Sequence, residues 1–134
     1  MKILLVEDDR LLAKGTAKLI ERMSGYQVEV SDDPAIIFQL CEEGNIDLVI
    51  MDINLPGAKW QGKAVSGADI SRLLKDRSQT SEIPIIILTA YAMKTERETL
   101  LEASHADELF TKPLKDFKQL IEAIDNLCKQ SKNA

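Results

Sequence analysis

Short continuous apolar runs alternate along this chain with stripes of apolar residues at helical spacing. Lys2 to Val6 (KILLV), Leu48 to Met51 (LVIM) and Ile83 to Leu88 (IPIIIL) are too short for ordinary helices and rich in β-branched residues. Such runs predict strands buried on both faces. Tyr26, Val28 and Val30 alternate with polar residues, as an exposed edge strand does, and Leu109 to Thr111 forms a short fifth strand. Between these runs the period changes. Leu12, Leu19, Ile20 and Met23 predict one helix, capped by Asp9 and stopped by Ser24-Gly25. Asp33-Pro34 opens a second, with Ile37, Leu40 and Cys41 on one face and Gly44 at its end.

A third helix opens at Ser66, where Ser66-Gly67-Ala68-Asp69 reads as a capping box, and buries Ile70, Leu73 and Leu74. Thr95 and Glu98 suggest another capping box after the fourth strand. Phe117, Leu120, Ile121, Ile124, Leu127 and Cys128 give the last helix its core face, after which CKQSKNA reads as a polar tail. Five strands alternating with five helices, at least four of the strands parallel and buried, make a doubly wound α/β fold. We expect one domain over 1–130 and a polar tail over 131–134.

Charge and composition narrow the function. The 134 residues are 45% hydrophobic, enough for one core, and the formal net charge is −5, which argues against sequence-independent binding to nucleic acid or anionic lipid. No run of about 18 apolar residues and no leader pattern is present, so we expect a cytoplasmic chain without membrane attachment. Cys41 and Cys128 fall on apolar stripes without metal-ligand spacing and read as core thiols. His105, the sole histidine, follows the fourth helix and reads as a structural residue at positive φ.

The candidate chemistry lies at strand ends. The buried run Leu48 to Met51 stops on Asp52, and Pro56-Gly57 turns the chain away. The first strand stops on Glu7, Asp8 and Asp9. Because crossovers in such folds are right-handed, Glu7, Asp8, Asp52, Thr89 and Lys112 meet along one edge of the sheet. Carboxylates packed there repel by about 4 kcal/mol per pair at 4 Å in an effective dielectric near 20. A hard dication such as Mg²⁺ relieves this, and no His or Cys cluster competes for zinc. A carboxylate beside such an ion can act as a nucleophile toward phosphorus. Lys112 and Thr89 then offer a charge and a hydroxyl to the phosphoryl oxygens.

VEDD at 6–9, MDINLPG at 51–57, LTA at 88–90 and TKP at 111–113, in this order, resemble the receiver domain of two-component response regulators. The resemblance covers nearly the whole chain. It implies a flavodoxin-like (βα)5 fold with strand order 2-1-3-4-5. It also implies that Asp52 accepts a phosphoryl group from the histidine of a sensor kinase or a histidine phosphotransfer protein. Glu7, Asp8, Asp52 and the backbone carbonyl of Asn54 would hold Mg²⁺, Lys112 would pair with the phosphoryl group, and Thr89 would move toward it. The switch would rearrange the face made by the fourth helix, fifth strand and fifth helix, with Ala90, Tyr91 and Leu109 at its root. That face would meet an unknown downstream protein or a second copy of the chain. The domain is expected to regulate rather than catalyse, apart from slow self-dephosphorylation, and as given to signal by contact.

Two features depart from the family pattern. Leu109 stands where receivers usually carry Tyr or Phe, and Phe110 points to the opposite face. The link Ala58 to Ser66, containing Lys59, Trp60 and Lys63, is longer than usual: a partner surface or lid on one reading, a tolerated surface insertion on the other. Three rival functions differ in what they require. A docking module that is never phosphorylated would not need the intact acids. An aspartyl phosphatase usually has a second Asp where this chain has Asn54. A flavin carrier would have a hydroxyl- and glycine-rich loop after its first strand.

Overall fold

Parallel pairing orders the sheet. In a computed structural model that describes residues 1–90 and 94–132, without the side chains at 94, 95 and 130–132, β1 (Lys2–Val6) lies between β2 (Gln27–Ser31) and β3 (Leu48–Met51). β3 continues to β6 (Ile85–Thr89) and β6 to β7 (Glu108–Thr111), every pair parallel. The order β2-β1-β3-β6-β7 is 2-1-3-4-5 once β4 (Lys59–Trp60) and β5 (Lys63–Ala64), which pair only with each other, are set aside. β2 is the edge strand that its alternating pattern predicted.

Side-chain alternation divides the core into two layers. Leu4, Val6, Val49, Met51, Ile85, Ile87 and Leu109 face one way, toward α2 (Pro34–Glu42), α3 (Gly67–Asp76) and α4 (Lys94–Ser104). Ile3, Leu5, Leu48, Ile50, Ile86 and Leu88 face the other, toward α1 (Arg10–Ser24) and α5 (Phe117–Lys132). Leu109 and Phe110 accordingly join opposite layers. The caps follow their residue types. Asp9 accepts from Leu12 N–H and Asp33 from Ala35 N–H, both at 3.0 Å. Ser66 and Asp69 bond reciprocally at 2.8 and 3.2 Å. His105 has φ 56°, the left-handed conformation expected of it. The Thr95 side chain, half of the other predicted capping box, lies outside the described residues.

The spacing leaves open which residues α1 buries, and two expectations change. α1 buries Ala13, Ala17 and Ile20, whereas Leu12, Leu19 and Met23 remain 45%, 42% and 41% exposed. The small alanines seat α1 against the sheet, which turns the bulkier stripe away from it. α5 runs on to Lys132, so the first two residues of the expected tail are helical. The long link is a β-hairpin rather than a loop. Its turn residues Gln61 and Gly62 both have positive φ, 52° and 79°, which suits the twist of a two-residue hairpin.

The hairpin is seated on α2. Trp60 meets Phe38 with ring centroids 4.4 Å apart, and the Arg77 guanidinium lies 4.6 Å from the Phe38 centroid and 5.7 Å from that of Trp60. Arg77 also pairs with Glu42. At the root of the hairpin Val65 N–H donates to Ala58 O at 3.0 Å, and Ala58 N–H to Leu55 O at 3.1 Å. The insertion therefore closes on itself and leaves the chain on either side of it in register.

Cys41 and Cys128 are buried free thiols. Burial, reinforced by the charge of Glu42, pushes the Cys41 thiol up to about 12. At pH 8 iodoacetamide should leave Cys41 unmodified in the native chain and alkylate it after urea unfolding, as read by peptide mass. Rapid native alkylation at Cys41 would contradict this packing.

Candidate functional site

The sheet's parallel polarity brings the ends of β1, β3, β6 and β7 to one edge. Val6 pairs with Met51, and Asp52 N–H donates to Val6 O at 3.0 Å, so Glu7 and Asp52 leave adjacent strands side by side. Both are buried, at 6% and 8% exposure, while Asp8 is half-buried. On the other side Thr111 pairs with Thr89, and Lys112 N–H donates to Thr89 O at 2.9 Å. Thr89 is 1% exposed at the very end of β6, and Ala90 beyond it is exposed. Tyr91 lies outside the described residues.

Lys112 joins the two sides. Its ammonium donates to Glu7 Oε1 and, at 3.2 Å, to Asp52 Oδ2. The second Asp52 oxygen accepts from Asn54 N–H at 3.4 Å, and Glu7 Oε2 accepts from Asp9 N–H at 3.3 Å. Burial by itself would lower the Lys112 pKa, but the hydrogen bond to Glu7 and the charge of Asp52 outweigh it and hold the ammonium above its usual range. Lysine thus remains a fixed positive charge at any physiological pH. The peptide bond between Lys112 and Pro113 is cis.

Carboxylate oxygens of Glu7, Asp8 and Asp52 lie within 4.8 Å of one another. Three such groups against one ammonium leave an excess of negative charge in a site where two of the acids are nearly dry. An all-oxygen set of this size fits a hard dication that keeps several waters. Asp8 carries the cost of the crowding. Burial first, then its hydrogen bond with Glu7, raises its pKa above 3.8. Of Asn54 the structure supplies the N–H bond just described, and its side chain is exposed.

Gly67 belongs to this site although the sequence reading treated it only as part of a capping box. Its N–H donates to Ile53 O at 2.8 Å, and a Cβ there would lie 1.8 Å from Asp52 O and 2.7 Å from Asp52 C. The first turn of α3 therefore rests directly on the main chain of Asp52. A glycine immediately after an N-cap residue was the available signal. Beside Lys112 a groove of about 420 Å³ opens, lined by Leu12, Thr16, Leu88, Leu114 and Phe117. Leu12 and Thr16 of α1 form one wall of it.

Two predictions test this geometry. Because Asp8 titrates above its unfolded value, its carboxylate opposes folding at neutral pH, and that penalty disappears as pH falls to 3.8. Asp8→Asn should therefore raise stability at pH 7, with the gain fading toward pH 4, in urea titrations across that range. Gly67→Ala should lower stability by about 3 kcal/mol, since neither Asp52 nor Ile53 main chain can move aside cheaply. An unchanged urea midpoint would show that the close approach is relaxed in solution.

Residues 3–125 match the family described as the response regulator receiver domain. The chain is 33% identical over 112 residues to the polar-differentiation response regulator DivK of Brucella ovis, covering 84% of each chain. Among solved structures it resembles the receiver domain of a signal transduction histidine kinase from Syntrophus aciditrophicus, at TM-score 0.80 and 28% identity, covering 99% of this chain and 93% of that one. It also resembles the receiver domain of a Pseudomonas aeruginosa sensor histidine kinase, at TM-score 0.76 and 26% identity, covering 96% and 97%. That structure carries a magnesium ion coordinated in its active-site cleft.

Proposed function

This chain belongs to the family of response regulator receiver domains, and from that premise we propose that Asp52 is the phosphoacceptor of a signalling switch. The donor is the phosphohistidine of a sensor kinase or a histidine phosphotransfer protein. An Asp52 oxygen attacks phosphorus, the phosphorus–nitrogen bond breaks, and the imidazole leaves with its electron pair and takes up a proton. The product is an aspartyl phosphate. The observation that carries this reading is the Lys112 ammonium shared between Glu7 and Asp52, with Asp8 completing the carboxylate group.

Mg²⁺ held by Glu7, Asp8, Asp52 and the Asn54 carbonyl would neutralise charge on the phosphoryl oxygens. The chain's own residues do the positioning. Lys112 is already paired with Asp52 and can follow its oxygen onto the phosphoryl group, while Thr89 stands at the end of the neighbouring strand with a hydroxyl to offer. Gly67 keeps α3 from displacing the acceptor. A phosphatase with an aspartyl nucleophile would need an acid where Asn54 offers an amide. The aspartyl phosphate returns to carboxylate by slow hydrolysis.

The groove beside Lys112 supports a donor that arrives on a protein surface. Leu11 is 84% exposed at the start of α1, and the apolar stripe through Leu12, Leu19 and Met23 runs away from the site. A donor helix lying on it would bring its histidine to Asp52. Signal leaves by the face of α4, β7 and α5, toward a downstream protein or a second copy of the chain.

Acetyl phosphate with Mg²⁺ should add one phosphoryl group to the wild type, read by intact mass, and none to Asp52→Ala or in the presence of a chelator. An equal adduct on Asp52→Ala would overturn the assignment. So would a wild type that neither accepts a phosphoryl group nor binds beryllofluoride.

A further inference from the structure

Polar contacts of different character tie the two ends of the described part of α4 to its neighbours. Near its C-terminal end Ser104 O accepts from Ser71 Oγ of α3 at 2.9 Å, and both serines are 0% exposed. About two turns earlier, Arg97 Nη2 donates to Leu109 O of β7 at 2.8 Å and lies 3.9 Å from Glu108 Oε1. The Arg97 and Glu108 side chains are 49% and 44% exposed. Breaking the buried contact would leave a carbonyl unpaired away from water. The Arg97 bond is only part-buried, and its half-exposed guanidinium gives water easier access to it than to the serine contact. One end of α4 is a pivot and the other can be released.

β7 connects that releasable contact to the site. The strand carries Leu109 and three residues later delivers Lys112, whose N–H is bonded to Thr89 O. Leu109 is 0% exposed and packs in the layer that includes Leu100 and Leu101 of α4. It has no ring to turn. Rearrangement of Lys112 and Thr89 about a phosphoryl group therefore acts on α4 through the position of β7 itself, and the Arg97 bond to Leu109 O stands across that movement.

We propose that Arg97 is a positioning residue of the switch: its bond to the Leu109 carbonyl latches α4 to β7 while Asp52 is a free carboxylate, and its release lets α4 pivot on the Ser71–Ser104 contact. This rests on Asp52 being the phosphoacceptor. A latch that favours one of two arrangements weakens every ligand that favours the other, and removing it strengthens that ligand by the same factor. Arg97 touches none of the reacting groups, so its loss leaves the chemistry of the site in place.

The test is calorimetric titration of beryllofluoride in the presence of Mg²⁺ into the wild type, Arg97→Ala and Arg97→Lys, with circular dichroism confirming that each is folded. Arg97→Ala should bind about 2- to 5-fold tighter than the wild type, with Arg97→Lys between them. Hydrogen exchange of α4 without beryllofluoride should be faster in Arg97→Ala, while peptides of β1 and β3 remain unchanged. Equal or weaker binding by Arg97→Ala, against a wild type that binds, would overturn the latch and leave the phosphoacceptor reading intact. Unaltered exchange in α4 would overturn the latch as well. A wild type that binds no beryllofluoride would overturn both.

Discussion

The constraint on which the rest of this structure depends is the gathering of three carboxylates at one edge of a parallel sheet, with a single lysine to hold them. Parallel strands end together, so acids at the ends of β1 and β3 cannot avoid one another. Removing Glu7 and Asp52 from water is expensive, and Lys112 offsets only part of their mutual repulsion. The residual negative charge is what suits the edge to a hard cation. A core built for stability alone would have placed apolar residues there.

Around that edge the backbone is held from several directions. Asp52 is tied to β1 through Val6 O, and α3 rests on its carbonyl through Gly67. The inserted hairpin is closed at its root by the Ala58–Val65 bond, and its tip is seated on α2 by Trp60, Phe38 and Arg77. The long link is a closed surface hairpin. Lys59 and Lys63 remain exposed on it.

Legibility in the sequence followed the range of the interactions. The five main strands, strand order by resemblance, the helix starts at Asp9, Asp33-Pro34 and Ser66, and the two core cysteines were legible in the sequence, and the structure agrees with them. The spacing predicted α1 as a helix but left open which of its residues face the sheet, because apolar spacing cannot distinguish a stripe that faces the sheet from one beside it. Ala13 and Ala17 win that position by being small, a property that matters only when a second surface approaches. The hairpin was missed because Gln61 is a poor turn signal, and its stability comes from Phe38 and Arg77 far away in the chain. Gly67 was visible only as part of a capping box, and Arg97 carried no motif at all.

What the sequence determined by itself is the inventory: acids at strand ends, a lysine before a proline, a threonine closing a buried strand, and a leucine where an aromatic residue is usual in the family. Those properties are set by residue type and by neighbours a few positions away. Only the tertiary structure decided that Lys112 spans Glu7 and Asp52, that Gly67 lies against Asp52, and that Arg97 reaches the Leu109 carbonyl. Each of these joins segments separated by a strand or a helix. Such distances are fixed by how closely packed layers allow one backbone to approach another, which no local pattern contains.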